Sequence, residues 1–224
     1  MATKRQSEAQ TLPRGRHGLP RELVVENQRA RLISGMIETV AELGYGKTTV
    51  ANITEPAKVS RRTFYETFGN KEDCYRAAYE ASFEFLRERT EAAAAGSEWP
   101  DSVRAGLGAL LEELAAHPKL AGFFLVSPAS VGDAIASRHH LAMRQLVEGL
   151  VVEAAPGSGD VAAETRVEAL AGGLARLTAL KVSAGKSDEL PALLPDLVEL
   201  FLRPFVGSEE AIRVAWGDDR LARG

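Results

Sequence analysis

The chain has 224 residues, of which 45% are hydrophobic and 26% charged, and its formal net charge is −4. These values are typical of a globular protein, and the single cysteine, Cys74, excludes an internal disulfide and a cysteine-based zinc site. No apolar run approaches the roughly 20 residues that a membrane-spanning helix needs, and the first residues lack the apolar segment of a secretory signal. We therefore expect a cytoplasmic protein with no membrane partner.

The charge is unevenly distributed along the chain. Residues 1–76 carry 13 Lys and Arg against 9 Asp and Glu, a net +4, whereas residues 77–224 carry a net −8. A basic N-terminal part on an acidic body suits a protein that meets a polyanion with one end only. Chance fluctuation could produce the same asymmetry, so it supports DNA binding only together with other features.

Residues 1–22 form a basic arm, which we expect to be partly disordered. Its segment PRGRHG (13–18) resembles the core of an AT-hook, in which Arg14 and Arg16 would enter the minor groove of A·T-rich DNA. His17 stands where that motif prefers proline. The alternative is a basic tail that adds only non-specific attraction to phosphates.

The hydrophobic periodicity predicts an all-α fold, because Val and Ile recur at helical spacing rather than in alternating runs. Turn-forming residues separate the predicted helices. These helices cover residues 27–43, 48–57, a short segment from Arg61, 71–95, 101–116, 118–126, 129–154, 162–184 and 189–205. The first three predict a small domain over residues 23–76, and the others a larger helical bundle over 77–224.

Residues 48–68 have the pattern of a helix-turn-helix, whose second helix enters the major groove of DNA. Thr48 and Thr49 can cap the first helix, and Ser60 can cap the second. At about 100° per residue, Phe64 and Phe68 lie on the same, buried side of the second helix. The pattern therefore predicts a short helix that is anchored by aromatic residues and leaves its opposite face to solvent.

The opposite face of that helix carries side chains that suit DNA. Arginine pairs bidentately with guanine, which fits Arg61 and Arg62, and Thr63 can contact a thymine methyl group or a base edge. Tyr65 and Lys71 suit contacts with phosphates, which fix the register on DNA without reading the sequence. The alternative reading is that the two arginines only solvate an exposed helix face.

At this point the sequence resembles a known family. The pattern GY..TTV..I...A.VS..TFY..F..KE, read from residue 44, is similar to the DNA-binding signature of TetR-family (tetracycline-repressor-like) transcriptional regulators. The resemblance covers about residues 27–76. It implies a homodimeric, ligand-responsive repressor of a near-palindromic operator. It also implies DNA contacts by Thr49, Arg61, Arg62, Thr63, Tyr65, Thr67 and Lys71.

Two residues depart from the family pattern. The turn usually has a glycine where this chain has Lys58, and a non-glycine residue in the left-handed region costs about 1 kcal/mol. Pro56 removes one hydrogen bond late in the first helix of the motif and is expected to bend it. Both residues concern the geometry of the turn.

The resemblance also implies an effector cavity in the C-terminal bundle, although its motifs do not extend there. We expect the lining to include aromatic and flexible apolar residues, which suits a hydrophobic or amphipathic effector. Taken singly, each of these residues is more often a plain core residue than a pocket residue. The candidates are Phe83, Trp99, Phe123, Phe124 and Met143.

We predict neither a metal nor a cofactor. His139 and His140 are adjacent, so on a helix they diverge and cannot both face one ion. The segments 162–184 and 189–205 are apolar over more than one face, which indicates either burial or a shared subunit interface. With the resemblance, they are the predicted dimer helices.

The sequence shows no phosphate-binding loop after a strand, no nucleophile elbow and no Cys–His pair, so we do not expect an enzyme. A sequence-specific transcriptional regulator, repressor or activator, is the favoured function. Two alternatives stay open: a helical ligand-binding or interaction module, and an architectural protein that binds all duplexes alike through its basic arm.

Overall fold

The computed structural model describes residues 21–151 and 161–217, and within these ranges the chain is helical and contains no β-strand. The predicted all-α class is therefore confirmed. The α-helices are α1 (Arg21–Leu43), α2 (Val50–Ala57), α3 (Arg61–Thr67), α4 (Lys71–Ala94), α5 (Asp101–Ala116), α6 (Pro118–Ala121), α7 (Asp133–Val151), α8 (Val161–Ser183), α9 (Leu194–Val206) and α10 (Ser208–Trp216). No helix of these ranges is long and apolar enough to cross a membrane. The predicted minor-groove residues Arg14 and Arg16 lie outside the described residues.

The chain divides into two compact units, residues 1–81 and 82–224, and α4 begins in the first and ends in the second. In the first unit, α1, α2 and α3 pack against one another around Met36, Ile53 and Phe64, each of which is fully buried. Cys74 is also fully buried in this unit. Its burial raises the pKa of the thiol to about 12, so the thiol stays protonated and behaves as a small apolar group.

The second unit is a bundle in which α7 packs on α8, and α5 on α9. Leu107, Leu174 and Phe201 are fully buried at its centre. His139 lies edge-to-face against Phe124, with ring centroids 5.6 Å apart. Burial, followed by the neighbouring His140, lowers the pKa of His139 to about 4, so its imidazole is neutral at pH 7. His140 faces α8, where its Nε2 lies 2.9 Å from Oε1 of Glu168.

Several predicted boundaries were wrong. The segment 118–126 is not one α-helix, because a π-helical turn at Gly122–Val126 follows α6, and Ser127–Ser130 then forms a 3₁₀ turn before α7. The predicted helix 189–205 divides into a 3₁₀ segment, Ser187–Leu193, and α9. A further helix, α10, was missed. It packs on α9 and is held by Arg104, whose Nη1 donates to the carbonyls of Val214 (3.2 Å) and Ala215 (2.5 Å).

Candidate DNA-binding interface

The helix-turn-helix is formed by α2 and α3, and the cap of α2 differs in part from the prediction. Thr49 caps the helix: its hydroxyl accepts from the backbone N–H of Asn52, whose side chain in turn accepts from the backbone N–H of Thr49. This reciprocal arrangement is a capping box. Thr48 does not cap, because it is buried and its hydroxyl donates to the carbonyl of Gly44 at 2.9 Å.

Helix α2 is fixed against α1 by a very close approach. Gly35 of α1 faces the backbone of α2, and a Cβ at this position would lie 2.6 Å from the carbonyl oxygen of Ile53. One turn further along α1, the Thr39 hydroxyl donates to its own helix at Gly35 (2.7 Å) and lies 3.0 Å from the Asn52 carbonyl oxygen. A glycine and a threonine on one face of α1 thus set the position of the first helix of the motif.

The two residues that depart from the family pattern lie at the C-terminal end of α2 and in the turn that follows it. Pro56 lies inside α2, which nevertheless continues to Ala57. Lys58 ends the helix in the left-handed region, at φ 52° and ψ 41°, as a glycine usually does. The Lys58 carbonyl accepts from Nη2 of Arg31 at 2.8 Å, which ties the turn to α1.

We expect Lys58→Gly to raise the free energy of unfolding by up to about 1 kcal/mol, because glycine enters the left-handed region without steric cost. Lys58→Ala is the control, since it removes the same side chain but keeps the Cβ. Chemical denaturation of both variants measures the difference. An equal stability of the two would contradict a conformational cost at this turn.

Helix α3 has the two faces that its sequence predicts. Ser60 caps it, with its side chain accepting from the backbone N–H of Thr63 at 3.0 Å. Phe64 and Phe68 are buried and in contact, with ring centroids 5.9 Å apart and ring planes tilted by 52°. Their burial fixes the rotation of the helix, so the opposite face is held toward solvent.

The exposed face of α3 presents most of the predicted DNA contacts. The side chain of Arg62 is 88% exposed, Tyr65 is 59% exposed, and Arg61 is also exposed. Thr63 and Thr67 are half-buried, and the Thr67 hydroxyl donates to the carbonyl of Thr63 at 2.8 Å. Within the described residues Arg61 makes no hydrogen bond or ion pair, whereas Nε of Arg62 donates to Oε1 of Glu66 at 2.8 Å.

Lys71 is engaged inside the protein rather than extended into solvent. Its Nζ donates to the carbonyls of Tyr45 and Thr48, each at 3.0 Å, and lies 4.0 Å from the centroid of the Tyr45 ring. That ring packs edge-to-face on the buried Tyr75. Burial, and secondarily the carboxylate of Glu72, raise the pKa of Tyr45 above its ordinary value. Sequence reasoning missed this contact because 26 positions separate Lys71 from Tyr45.

The five predicted pocket residues belong to four different segments. Phe83 is half-buried in α4, Trp99 precedes α5, Phe123 and Phe124 are fully buried in the π-helical turn, and Met143 is buried in α7. Trp99 packs edge-to-face on Phe205 with centroids 6.3 Å apart. None of the five lines the cleft that runs between α4 and α7. Its volume is about 20 Å³, and its lining includes Thr90, Ala94, Leu146 and Leu150.

Residues with metal-binding side chains do not gather into a candidate site anywhere in the described ranges. A space of about 20 Å³ holds roughly one water molecule. The exposed face of α3 carries most of the predicted DNA contacts and is the candidate functional surface of this chain.

Comparison with known proteins agrees with the assignment of α2 and α3 to a DNA-binding helix-turn-helix. Residues 32–78 match the family model described as bacterial regulatory proteins, tetR family. No curated protein matches the chain significantly.

Solved structures share the fold of the chain at low sequence identity. The fatty acid degradation regulator FadR from Bacillus halodurans is 20% identical, with a TM-score of 0.65 over 77% of this chain and 97% of that one. FadR from Bacillus subtilis is 19% identical, with a TM-score of 0.67 over 80% and 98%. A TetR-like transcriptional regulator from Rhodococcus sp. RHA1 is 20% identical, with a TM-score of 0.56 over 83% and 97%. With residues 32–78 matched by the family model and a helical body that shares the fold of these regulators, this chain carries a DNA-binding domain of the tetR family type and is a DNA-binding transcriptional regulator.

Proposed function

We propose that the chain is a repressor that binds a near-palindromic operator as a homodimer and is released by a hydrophobic or amphipathic small molecule. The observation that carries the proposal is the exposed face of α3, where Arg61, Arg62 and Tyr65 project from a helix fixed by the buried Phe64. Two arginines at the N-terminal end of a helix that enters the major groove can pair with guanines.

Not every predicted contact has the same role in this proposal. Arg61, Arg62 and Thr63 are assigned to bases, and Tyr65 and Thr49 to phosphates. Thr67 is a weaker candidate, because its hydroxyl is already engaged by the Thr63 carbonyl. For Lys71 we propose a positioning role, since its amino group holds the carbonyls of Tyr45 and Thr48 just before Thr49 begins the cap of α2.

Exposed leucines support dimerisation through the predicted helices. Leu177 and Leu180 lie three residues apart on α8 and are 43% and 47% exposed, and Leu200 on α9 is 48% exposed. Residues with this spacing share one helix face, and an apolar face is stabilised by burial against a second copy. Sedimentation analysis measures the assembly, and a monomer that binds its DNA site with full affinity would contradict this part of the proposal.

For the effector we propose a molecule with a long apolar part, such as an acyl-coenzyme A. The structure of the Bacillus subtilis relative was solved in complex with stearoyl-CoA, and another chain of the same fold is a gamma-butyrolactone receptor. The cleft between α4 and α7 admits about one water molecule, so an effector that used it would have to separate these helices. Release of a bound operator duplex by stearoyl-CoA, and not by coenzyme A alone, tests this class.

We expect Arg62→Ala to weaken binding to a preferred duplex, selected from a random library, by roughly 10- to 100-fold. One bidentate arginine–guanine pair contributes about 1–3 kcal/mol of discrimination. The affinity for random duplex should fall much less. Arg76→Ala is the control, because it removes an exposed arginine of the same domain that pairs with Glu72 and Asp73 on α4. Fluorescence polarisation measures both affinities.

The two alternative functions make different predictions for this experiment. An architectural protein driven by its basic arm would bind selected and random duplexes alike. A ligand-binding or interaction module would tolerate Arg62→Ala without any change. The fold group also includes a protein described as an operon activator, so a reporter gene placed behind the selected site is needed to establish repression.

A further inference from the structure

Helix α3 contains one acidic residue, Glu66, and it lies on the exposed face of the helix. A carboxylate on a surface that approaches DNA is repelled by the phosphates. The stability of the free protein does not explain its presence, because an exposed i,i+4 ion pair contributes only about 0.3–0.5 kcal/mol. We therefore look for the role of the Glu66 carboxylate in the complex with DNA.

The contact between Glu66 and Arg62 leaves the tip of the arginine available. Nε of Arg62 donates to Oε1 of Glu66 at 2.8 Å, while no partner is recorded for Nη1 or Nη2 within the described residues. The two terminal nitrogens are sufficient for a bidentate pair with O6 and N7 of guanine. The carboxylate thus occupies the one guanidinium nitrogen that this pairing does not require.

We propose that Glu66 is a specificity-determining residue that holds Arg62 for guanine and penalises its use on phosphates. This inference rests on the proposed function, in which Arg62 reads a base. At a correct site, Arg62 satisfies guanine and Glu66 together. At an incorrect site, an Arg62 that turns toward a phosphate leaves the Glu66 carboxylate unpaired beside a polyanion, and an unpaired, partly desolvated charge is costly.

This arrangement makes a change at Glu66 act unequally on the affinities for the two kinds of DNA. Replacing the carboxylate with an amide removes the repulsion and frees Arg62 to contact any phosphate, so random duplex binds more tightly. The same change removes the support of the guanine contact, so the selected duplex gains less or loses affinity. In both cases the ratio of the affinity for the selected duplex to that for random duplex falls.

The test is Glu66→Gln, measured by fluorescence polarisation on the wild-type chain's selected duplex and on random duplex. We expect random binding to tighten by roughly threefold and discrimination to fall by roughly tenfold. Glu38→Gln is the matched control: it makes the same charge change at an exposed position of α1, and is expected to leave discrimination unchanged. Thermal unfolding of each variant verifies that the fold is intact.

A double-mutant cycle separates positioning from simple charge. In an Arg62→Ala background, Glu66→Gln should tighten both duplexes equally, because no guanine contact is left to support. If Glu66→Gln alone shifts both duplexes by the same factor, the inference is overturned while the proposed function stands. If the wild-type chain itself does not distinguish any selected duplex from random DNA, the proposed function fails first.

Discussion

Gly35→Val is expected to lower the free energy of unfolding of the N-terminal unit by about 3 kcal/mol and to abolish specific DNA binding. The first added carbon would lie 2.6 Å from the Ile53 carbonyl oxygen and 3.2 Å from Cβ of Ala57. The first of these contacts is with backbone, which cannot turn away as a side chain can. Helix α1 must therefore move off α2, and the hydrogen bond from Thr39 to the Asn52 carbonyl is lost with it.

The neighbouring Ser34→Val provides the control for this substitution. Ser34 lies on the same helix but is exposed, and serine and valine have similar helix propensities. Urea denaturation followed by circular dichroism measures both variants. A Gly35→Val protein within about 0.5 kcal/mol of the wild type would contradict the close crossing of α1 and α2.

Lys71→Met is expected to lower the free energy of unfolding by about 2 kcal/mol, because two carbonyls lose a charged donor and the Tyr45 ring loses its cation. Methionine retains the length and much of the apolar contact of the lysine stem. Lys47→Met is the matched control, since Lys47 is exposed and has no recorded partner in the described ranges. Thermal and chemical denaturation measure the two effects.

The salt dependence of DNA binding separates the two roles considered for Lys71. A phosphate contact releases a counterion, so losing it makes the negative slope of log K against log salt concentration shallower by about 1. A positioning lysine changes the affinity with little change in that slope. If the Lys71→Met protein has normal stability and a salt slope that is shallower by about 1, Lys71 contacts a phosphate, as the sequence predicts, and the positioning role is contradicted.

Local rules predicted the parts of the interface that depend on neighbours along the chain. The caps by Thr49 and Ser60 are short-range contacts, and the burial of Phe64 and Phe68 follows from their spacing. Lys58 in the left-handed region was likewise recognisable as a departure from glycine at a known turn. These features need no knowledge of the rest of the fold.

Features that depend on contacts between residues far apart in the sequence could not be predicted by such local rules. Lys71 suits a phosphate contact and matches a DNA-contacting position of the family pattern, but its partners are the carbonyls of residues 45 and 48. Thr48 and Thr49 are equivalent as candidate caps until the burial of Thr48 distinguishes them. The π-helical turn at Gly122–Val126 has no sequence signature that we recognise. Helix α10 lies beyond residue 205, where the last predicted helix ends.

The pocket prediction has the least physical support. Aromatic and apolar residues on amphipathic helices serve equally as core or as lining, and Phe123, Phe124 and Met143 are buried in the structure. Their roles toward an effector are still predictions. Ligand binding would have to be shown at these positions directly, for example by protection of their amides in the presence of stearoyl-CoA.

The central claim is that α3 reads a DNA sequence, and the most direct measurement is the affinity of the wild-type chain for duplexes that tile its own upstream region. Random duplex is the reference. Fluorescence polarisation at two salt concentrations gives the affinity and its salt dependence, which measures the electrostatic contribution to binding. We predict one duplex that binds at least about 10³-fold more tightly than random DNA. Weak binding that is equal on every duplex and disappears with salt would contradict the account, because only a non-specific basic contact would remain.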